Sequence, residues 1–343
     1  MNRRVLGVIA LGLAGVACGG GGSGTAPEPG SASGGRAGSG GAAVVPLPAT
    51  IDVTRTGSAT PVKMAEPVVP LPKALGFELV SAGSGALAPL RYALAPGTID
   101  YLLETRMKSR ALQDGAWTTP IEQAPLRNGF AIAPGDKAGF LAVRALPIEI
   151  IGTKTPEAAA HAATWTKNLA NRRLAVTVDD RGQLGTLDFQ DDPNRTQDPS
   201  AREDATQRWL GTLVPLPAEP VGIGASWRVT TALRQGLAVM KQTGTYTLTA
   251  RTPKAWTIHA VVRRDAEDQT VTDPRFPPGT TTEVVAIVRT LEGDLTVMPA
   301  RPLGTGTLAV DSRAHLRITP PKGAMSENIL EDTGSLVLTA KPE

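Results

Sequence analysis

The chain has 343 residues, 35 of them basic and 32 acidic, and only 4% are aromatic. That length suffices for one large β domain with a real core, while the near-balanced charge and lack of a basic run exclude nucleic acid as a partner. Cys18, the single cysteine, excludes any intramolecular disulfide.

Residues 1–17 read as an export signal. Asn2-Arg3-Arg4 is a short positive region, Val5 to Leu13 is apolar, and small residues Gly15 and Ala17 precede Cys18. The apolar run is too short for a transmembrane helix. Removing Arg3 and Arg4 with the signal leaves 33 basic residues against 32 acidic ones. Cys18 stands where bacterial lipoprotein signals place the residue that is lipidated and becomes the new N-terminus. The stretch LAGVAC resembles a lipobox, with Gly15 in the place usually held by leucine. Ordinary cleavage after Ala17 is the alternative. Lipidation at Cys18 makes the membrane a partner through an N-terminal anchor. Gly19 is not the aspartate that retains some lipoproteins at the inner membrane, so the analogy points to the outer membrane.

Residues 18–75 are rich in Gly, Ser and Pro and cannot bury a core, so a tether is expected. From Gly19 to about Ala74 such a coil has a root-mean-square reach of roughly 40 Å. The four letters Val45-Pro46-Leu47-Pro48 return at Val69-Pro70-Leu71-Pro72 and at Val214-Pro215-Leu216-Pro217. Polyproline recognition by a partner is one reading, and coincidence in a Pro-rich chain is the other.

Order is expected from about residue 76. After Leu90-Arg91-Tyr92 and a turn at Pro96-Gly97, a strand of period two begins. Ile99, Tyr101, Leu103, Thr105 and Met107 face one way, and Asp100, Glu104, Arg106 and Lys108 face the other. Shorter strands are expected at 130–132 and 140–151. A helix is predicted over about 156–172, with Thr155 as N-cap and Pro156 at its first position. A hairpin follows at 174–178 and 184–189. After the polar loop DDPNRTQDPS, the Ser200/Glu203 capping box predicts a second helix over about 201–213.

The longest feature is a hairpin over 220–250. Gly222 and Gly224 break the chain before it, Arg234-Gln235-Gly236 turns it, and Trp227 and Tyr246 serve as large anchors. Further strands are expected at 256–262, 281–291, 307–318 and 336–340. The fold class is therefore mainly β (α+β): a large curved antiparallel sheet or half-barrel over 76–343, with two helices packed on its inner face.

The order of these features resembles a family of uncharacterised bacterial envelope lipoproteins. An export signal and a low-complexity tether precede an opening strand with Arg91-Tyr92 to Gly97. The most specific element runs from Pro217 through Val221-Gly222-Ile223-Gly224-Ala225-Ser226-Trp227. It is followed by Gln242-Thr243 to Thr245-Tyr246-Thr247-Leu248. The Met-rich repeats of the opening strand are reduced here to Met107. The resemblance covers most of 77–318 and implies an address and a fold, with no catalytic residue attached.

Candidate chemistry is sparse. His161, His259 and His315 have no carboxylate or cysteine at ligand spacing, so neither a zinc site nor a catalytic triad is expected. Gly222-Ile223-Gly224 and Gly304-Thr305-Gly306 each precede a strand, where no helix N-terminus waits for a phosphate. Asp188, Asp191, Asp192 and Asp198 carry the oxygens that calcium takes, but their spacing fits no EF-hand; a solvated linker is the reading taken. No cofactor is expected. These residues lead to a non-catalytic structural or interaction module tethered in the cell envelope, its envelope partner unidentified. The alternative is a carrier or sensor of an apolar ligand such as a lipid.

Overall fold

The computed structural model describes residues 69–70, 74–113, 115–135, 140–152, 159–160, 162–163, 166, 173–189, 213–235, 238–271 and 278–341. The strands are β1 (Val69–Pro70), β2 (Ala74–Ser81), β3 (Ser84–Ala88), β4 (Ile99–Gln113), β5 (Ala116–Trp117) and β6 (Ile121–Glu122). Then come β7 (Leu126–Pro134), β8 (Phe140–Ile150), β9 (Arg173–Val178), β10 (Leu184–Phe189), β11 (Val221–Ile223) and β12 (Ser226–Gln235). The last six are β13 (Ala238–Arg251), β14 (Trp256–Ala266), β15 (Gln269–Val271), β16 (Thr281–Val297), β17 (Thr305–Thr319) and β18 (Ser326–Ala340).

All but β3 and β11 join one antiparallel sheet. Its main path runs β1-β10-β9-β8-β7-β4-β18-β17-β16-β14-β13-β12-β2. The two ends of that path, β1 and β2, are separated in the chain by residues 71–73 alone. Four residue steps span at most roughly 14 Å, so the sheet must roll until its edges approach each other. Across the seam the Arg181 guanidinium, in the β9–β10 turn, lies 5.3 Å from the centre of the Phe77 ring on β2. The roll remains unclosed, because β1 pairs with β10 and β2 with β12.

Alternation makes one face of each long strand apolar, and the roll turns those faces inward. The outward face is charged. Arg110 bonds Glu331, Lys108 bonds Glu122, Arg127 bridges Glu104 and Glu149, and Arg317 lies between Glu283 and Glu327. Such exposed pairs contribute little stability each. They are nonetheless the opposite of the apolar outer band that a lipid-embedded barrel needs.

Two expectations are corrected. Two helices on the sheet are not supported. Within 156–172 the described helical residues are Ala159, Ala160, Ala162, Ala163 and Thr166, and Leu213 is not helical. The rest of the second expected helix, 201–212, lies outside the described residues. Val69 and Pro70, inside the expected tether, pair with Leu187 and Thr186. The last strand is also far longer than 336–340, beginning at Ser326.

Val214-Pro215-Leu216 is a buried plug. Val214 and Leu216 are almost wholly buried in the main apolar cluster, and the backbone carbonyls are satisfied by side chains from three directions. The Tyr92 hydroxyl donates to the Val214 carbonyl at 3.0 Å and the Trp227 indole N–H to Pro215 at 2.7 Å. Arg181 Nε donates to Leu216 at 3.2 Å, and Arg91 donates to Pro217 at 2.9 Å and Ala218 at 2.6 Å. An extended segment without ladder partners can be buried only on such terms.

Candidate functional site: a polar row across the concave face

The inward positions of seven successive strands carry polar side chains in direct cross-strand register. Thr231 on β12 faces Gln242 on β13, Gln242 faces Arg264 on β14, and Arg264 faces Arg289 on β16. The row continues from Arg289 to Ser312 on β17, Asp332 on β18 and Ser109 on β4. All but Ser109 are at least nine-tenths buried. Residues two positions to one side (Val229, Val262, Leu291, Val310, Met107) belong to the larger apolar cluster. Those on the other side (Leu233, Met240, Ala266, Ile287, Ala314) form the second. The polar row is thus a seam between two apolar layers.

Local sequence explains how each charge comes to lie inside. Arg264 shares the even-numbered phase of Ile258, Ala260, Val262 and Ala266, all buried. Arg289 is inward only because the register of β16 shifts between Val284 and Ala286. Before the shift Thr282 and Val284 face in; after it Ile287, Arg289 and Leu291 do. One extra residue flips every following side chain to the other face, and bulges of this kind recur next to functional sites.

The hydrogen bonds run along the row. Arg264 Nε donates to Gln242 Oε1 at 2.8 Å, Gln123 Nε2 donates to Ser109 Oγ at 2.6 Å, and Ser109 Oγ donates to Asp332 Oδ1. Burial, aided by the neighbouring Arg289, pushes the Arg264 guanidinium down to about 9, and burial lowers Arg289 as well. At about 9, Arg264 stays charged at neutral pH. Like charges directly opposite each other in a sheet are destabilising, and buried charges need compensation. The row carries a counter-charge of its own, the buried Asp332 carboxylate, which favours the charged form of Arg289.

Of the residues singled out from sequence, Trp227 and Tyr246 are buried, face each other across β12–β13 and stack with centroids 5.9 Å apart. A Cβ on Gly222 would collide with the Ser84 carbonyl oxygen, and Gly224 adopts φ +80°. His259 and His315 are outward-facing, and each has carboxylate partners that sequence spacing did not reveal. His259 Nδ1 is 3.0 Å from Asp294 and Nε2 3.6 Å from Glu292, while His315 Nε2 is 2.6 Å from Glu327. These partners come from adjacent strands, beyond the reach of local spacing. Asp188 lies in β10 opposite Ala175. Cys18, His161, Asp191, Asp192 and Asp198 lie outside the described residues. Among the described residues no group of three or more His, Cys, Asp or Glu side chains is placed to hold a metal.

No protein-family model matches the chain, and no curated protein matches it.

Arg264, Arg289 and Asp332 went unremarked at the sequence level. For Arg264 the signal was available, because continuing the Ile258-Ala260-Val262 phase leads to it. For Arg289 it was not, because an unbroken alternation from Thr282 and Val284 sends it outward.

Proposed function

We propose that this chain is a membrane-tethered cell-envelope lipoprotein, anchored through Cys18, that works by holding or docking a partner rather than by catalysis. The address rests on residues 1–18 and on the resemblance to envelope lipoproteins, and Gly19 in place of a retaining aspartate makes the outer membrane the proposed site. The non-catalytic reading is supported chiefly by what occupies the described histidines. His259 and His315 are held by carboxylates on the outer face, on the opposite face of the sheet from the buried row. The chain's three tyrosines, all buried, have hydroxyls raised by burial and stay neutral at physiological pH.

A second reading, a carrier or sensor of a ligand with an apolar part, is favoured by the buried polar row between two apolar layers.

The address is tested by labelling with a radioactive fatty acid and fractionating the envelope. Wild type should incorporate label and sediment with membranes, and Cys18→Ser should lose the label and move to the soluble fraction. Unchanged membrane retention of Cys18→Ser overturns the anchor. For the mode of action, a doubly substituted His259→Gln/His315→Gln chain should fully complement a deletion strain. Loss of complementation with the fold intact would point to chemistry at the outer face.

A further inference from the structure

We propose that one end of the roll docks on the surface of a lipid bilayer through apolar side chains on its hairpin tips: Trp117, Ile121, Val239 and Met325. This rests on the reading of Cys18 as a lipid anchor and adds a second membrane contact, made by the folded domain itself.

Strand direction gathers these residues at one end. Successive neighbours from β12 to β4 are antiparallel, so the last residues of β12, β17 and β4 lie at the same end of the roll. Trp117 and Ile121 return from the tip of β4 on β5 and β6, opposite Leu112 and Ser109. Val239 is the second residue of β13, and Met325 immediately precedes β18. These are four of the seven large apolar side chains that stand exposed among the described residues. The other three, Val80, Leu87 and Ile223, lie at the opposite end, beside β3 and β11.

Two features point to a bilayer as what covers the tips. The first is where the chain enters. β1 runs antiparallel to β10, so the chain before Val69 comes from the side of Phe189, the end that β10 shares with Gln113 of β4. Residues 19–68 lead from there back to Cys18, so this end reaches the anchoring membrane without the tether passing round the domain. The second is the chemistry of the tips. The Arg110 guanidinium lies over the Trp117 ring, 4.5 Å from its centre, and an aromatic ring beside a cation suits the head-group level of a bilayer. Charge on this hairpin is balanced, because Lys108 pairs with Glu122 and Arg110 with Glu331. The contact is therefore carried by apolar area and survives high salt. Behind the tips the outer face is charged, as at Arg127 with Glu104 and Glu149, which limits insertion to the tips. Such a contact is weaker than a single myristoyl chain, whose association constant is about 10⁴ M⁻¹. It does not hold a Cys18→Ser chain through fractionation, but on an anchored chain, at high effective concentration, it fixes which end faces the lipid.

The test uses the full-length Cys18→Ser chain, which carries no lipid, with vesicles of phosphatidylethanolamine and phosphatidylglycerol. Flotation should show half-binding at about 1 mM lipid, an order of magnitude weaker than one myristoyl chain, and high salt should leave it in place. Replacing all four tip residues by serine should weaken binding at least tenfold. Replacing Val80, Leu87 and Ile223 by serine, at the opposite end, should change it less than twofold. A label reads the same contact without removing any apolar group. Thr119→Cys, the only thiol in the Cys18→Ser chain, should carry a polarity-sensitive fluorophore whose emission shifts to the blue when vesicles are added, and Ala86→Cys should show no shift. Equal flotation with and without the tip residues, or no flotation at millimolar lipid, would overturn the docking end. Fatty-acid labelling of the wild-type chain would then still uphold the Cys18 anchor. Flotation that depends on the tips in a chain whose wild type takes no fatty acid would uphold the docking end and overturn the anchor instead. A dimer in the absence of vesicles, dissolved by the tip substitutions, would overturn the bilayer in favour of a second copy of the chain.

Discussion

The indole N–H of Trp227 is hydrogen-bonded to the carbonyl of Pro215, at 2.7 Å. Through that bond the first strand of the central hairpin holds the plug that fills the main apolar cluster. The ring also stacks on Tyr246, so one side chain ties hairpin, plug and core together. Trp227→Ala should cost about 3–5 kcal/mol. Trp227→Phe keeps an aromatic ring but orphans the buried carbonyl, at about 1–3 kcal/mol. His315→Ala, on the outer face, should stay within about 0.5 kcal/mol of wild type. Denaturant midpoints measure all three, and equal shifts for Trp227→Ala and His315→Ala would refute the assignment of faces.

Gly222 lets the two-stranded β3–β11 sheet close. A methyl group there would strike the Ser84 carbonyl, which is backbone and cannot swing away. Gly222→Ala should destabilise by about 3 kcal/mol, at the upper end of overpacking costs. Gly76→Ala on β2 meets nothing within 4 Å and should change stability by less than about 0.5 kcal/mol. Thermal unfolding of the two variants side by side makes the comparison.

The tyrosines predict an abrupt alkaline transition. Burial pushes the Tyr101 hydroxyl from 10 up to about 12 and raises Tyr92 and Tyr246 further. A group whose folded pKa is raised contributes stability that is complete below its unfolded value. That contribution is lost as pH climbs from 10 through the folded value. Arg264, held down to about 9 mainly by burial, acts in the opposite sense above pH 9, because the folded state is then relieved of a buried charge. With all three phenols shielded, phenolate absorbance near 295 nm should stay flat past pH 10. It should then rise together with the loss of circular dichroism. A smooth titration centred on pH 10 with the fold intact would show that the rings are accessible.

The seam between β1 and β2 is testable by truncation. A chain starting at Val62 retains both edge strands, whereas one starting at Ala74 loses β1 and the link across the roll. The shorter chain should be less stable by about 1 kcal/mol, with faster hydrogen exchange at Thr186 and Leu187, the partners of β1. Identical exchange in the two chains would mean that β1 contributes nothing to the edge.

Period-two alternation in Ile99–Met107 and in Leu308–Ile318 assigned strand faces, because the pleat puts alternate side chains on opposite sides whatever lies next door. The same local logic marked the hairpin, the glycines at its entrance and the buried aromatic pair Trp227 and Tyr246. Strand order was beyond it: that β18 lies between β17 and β4, and that β1 and β2 stand at opposite ends of the sheet's path, depends on partners distant in the chain. The Val214-Pro215-Leu216 plug was equally invisible, since its burial is made possible by donors from Tyr92, Trp227 and Arg181. The polar row shows the division most clearly. Sequence phase alone places Arg264 inward, but Arg289 joins it only through a register shift set by the strands on either side. A pleat is a property of the residue and its neighbours in the chain. A bulge, and the site it assembles, is a property of the ladder.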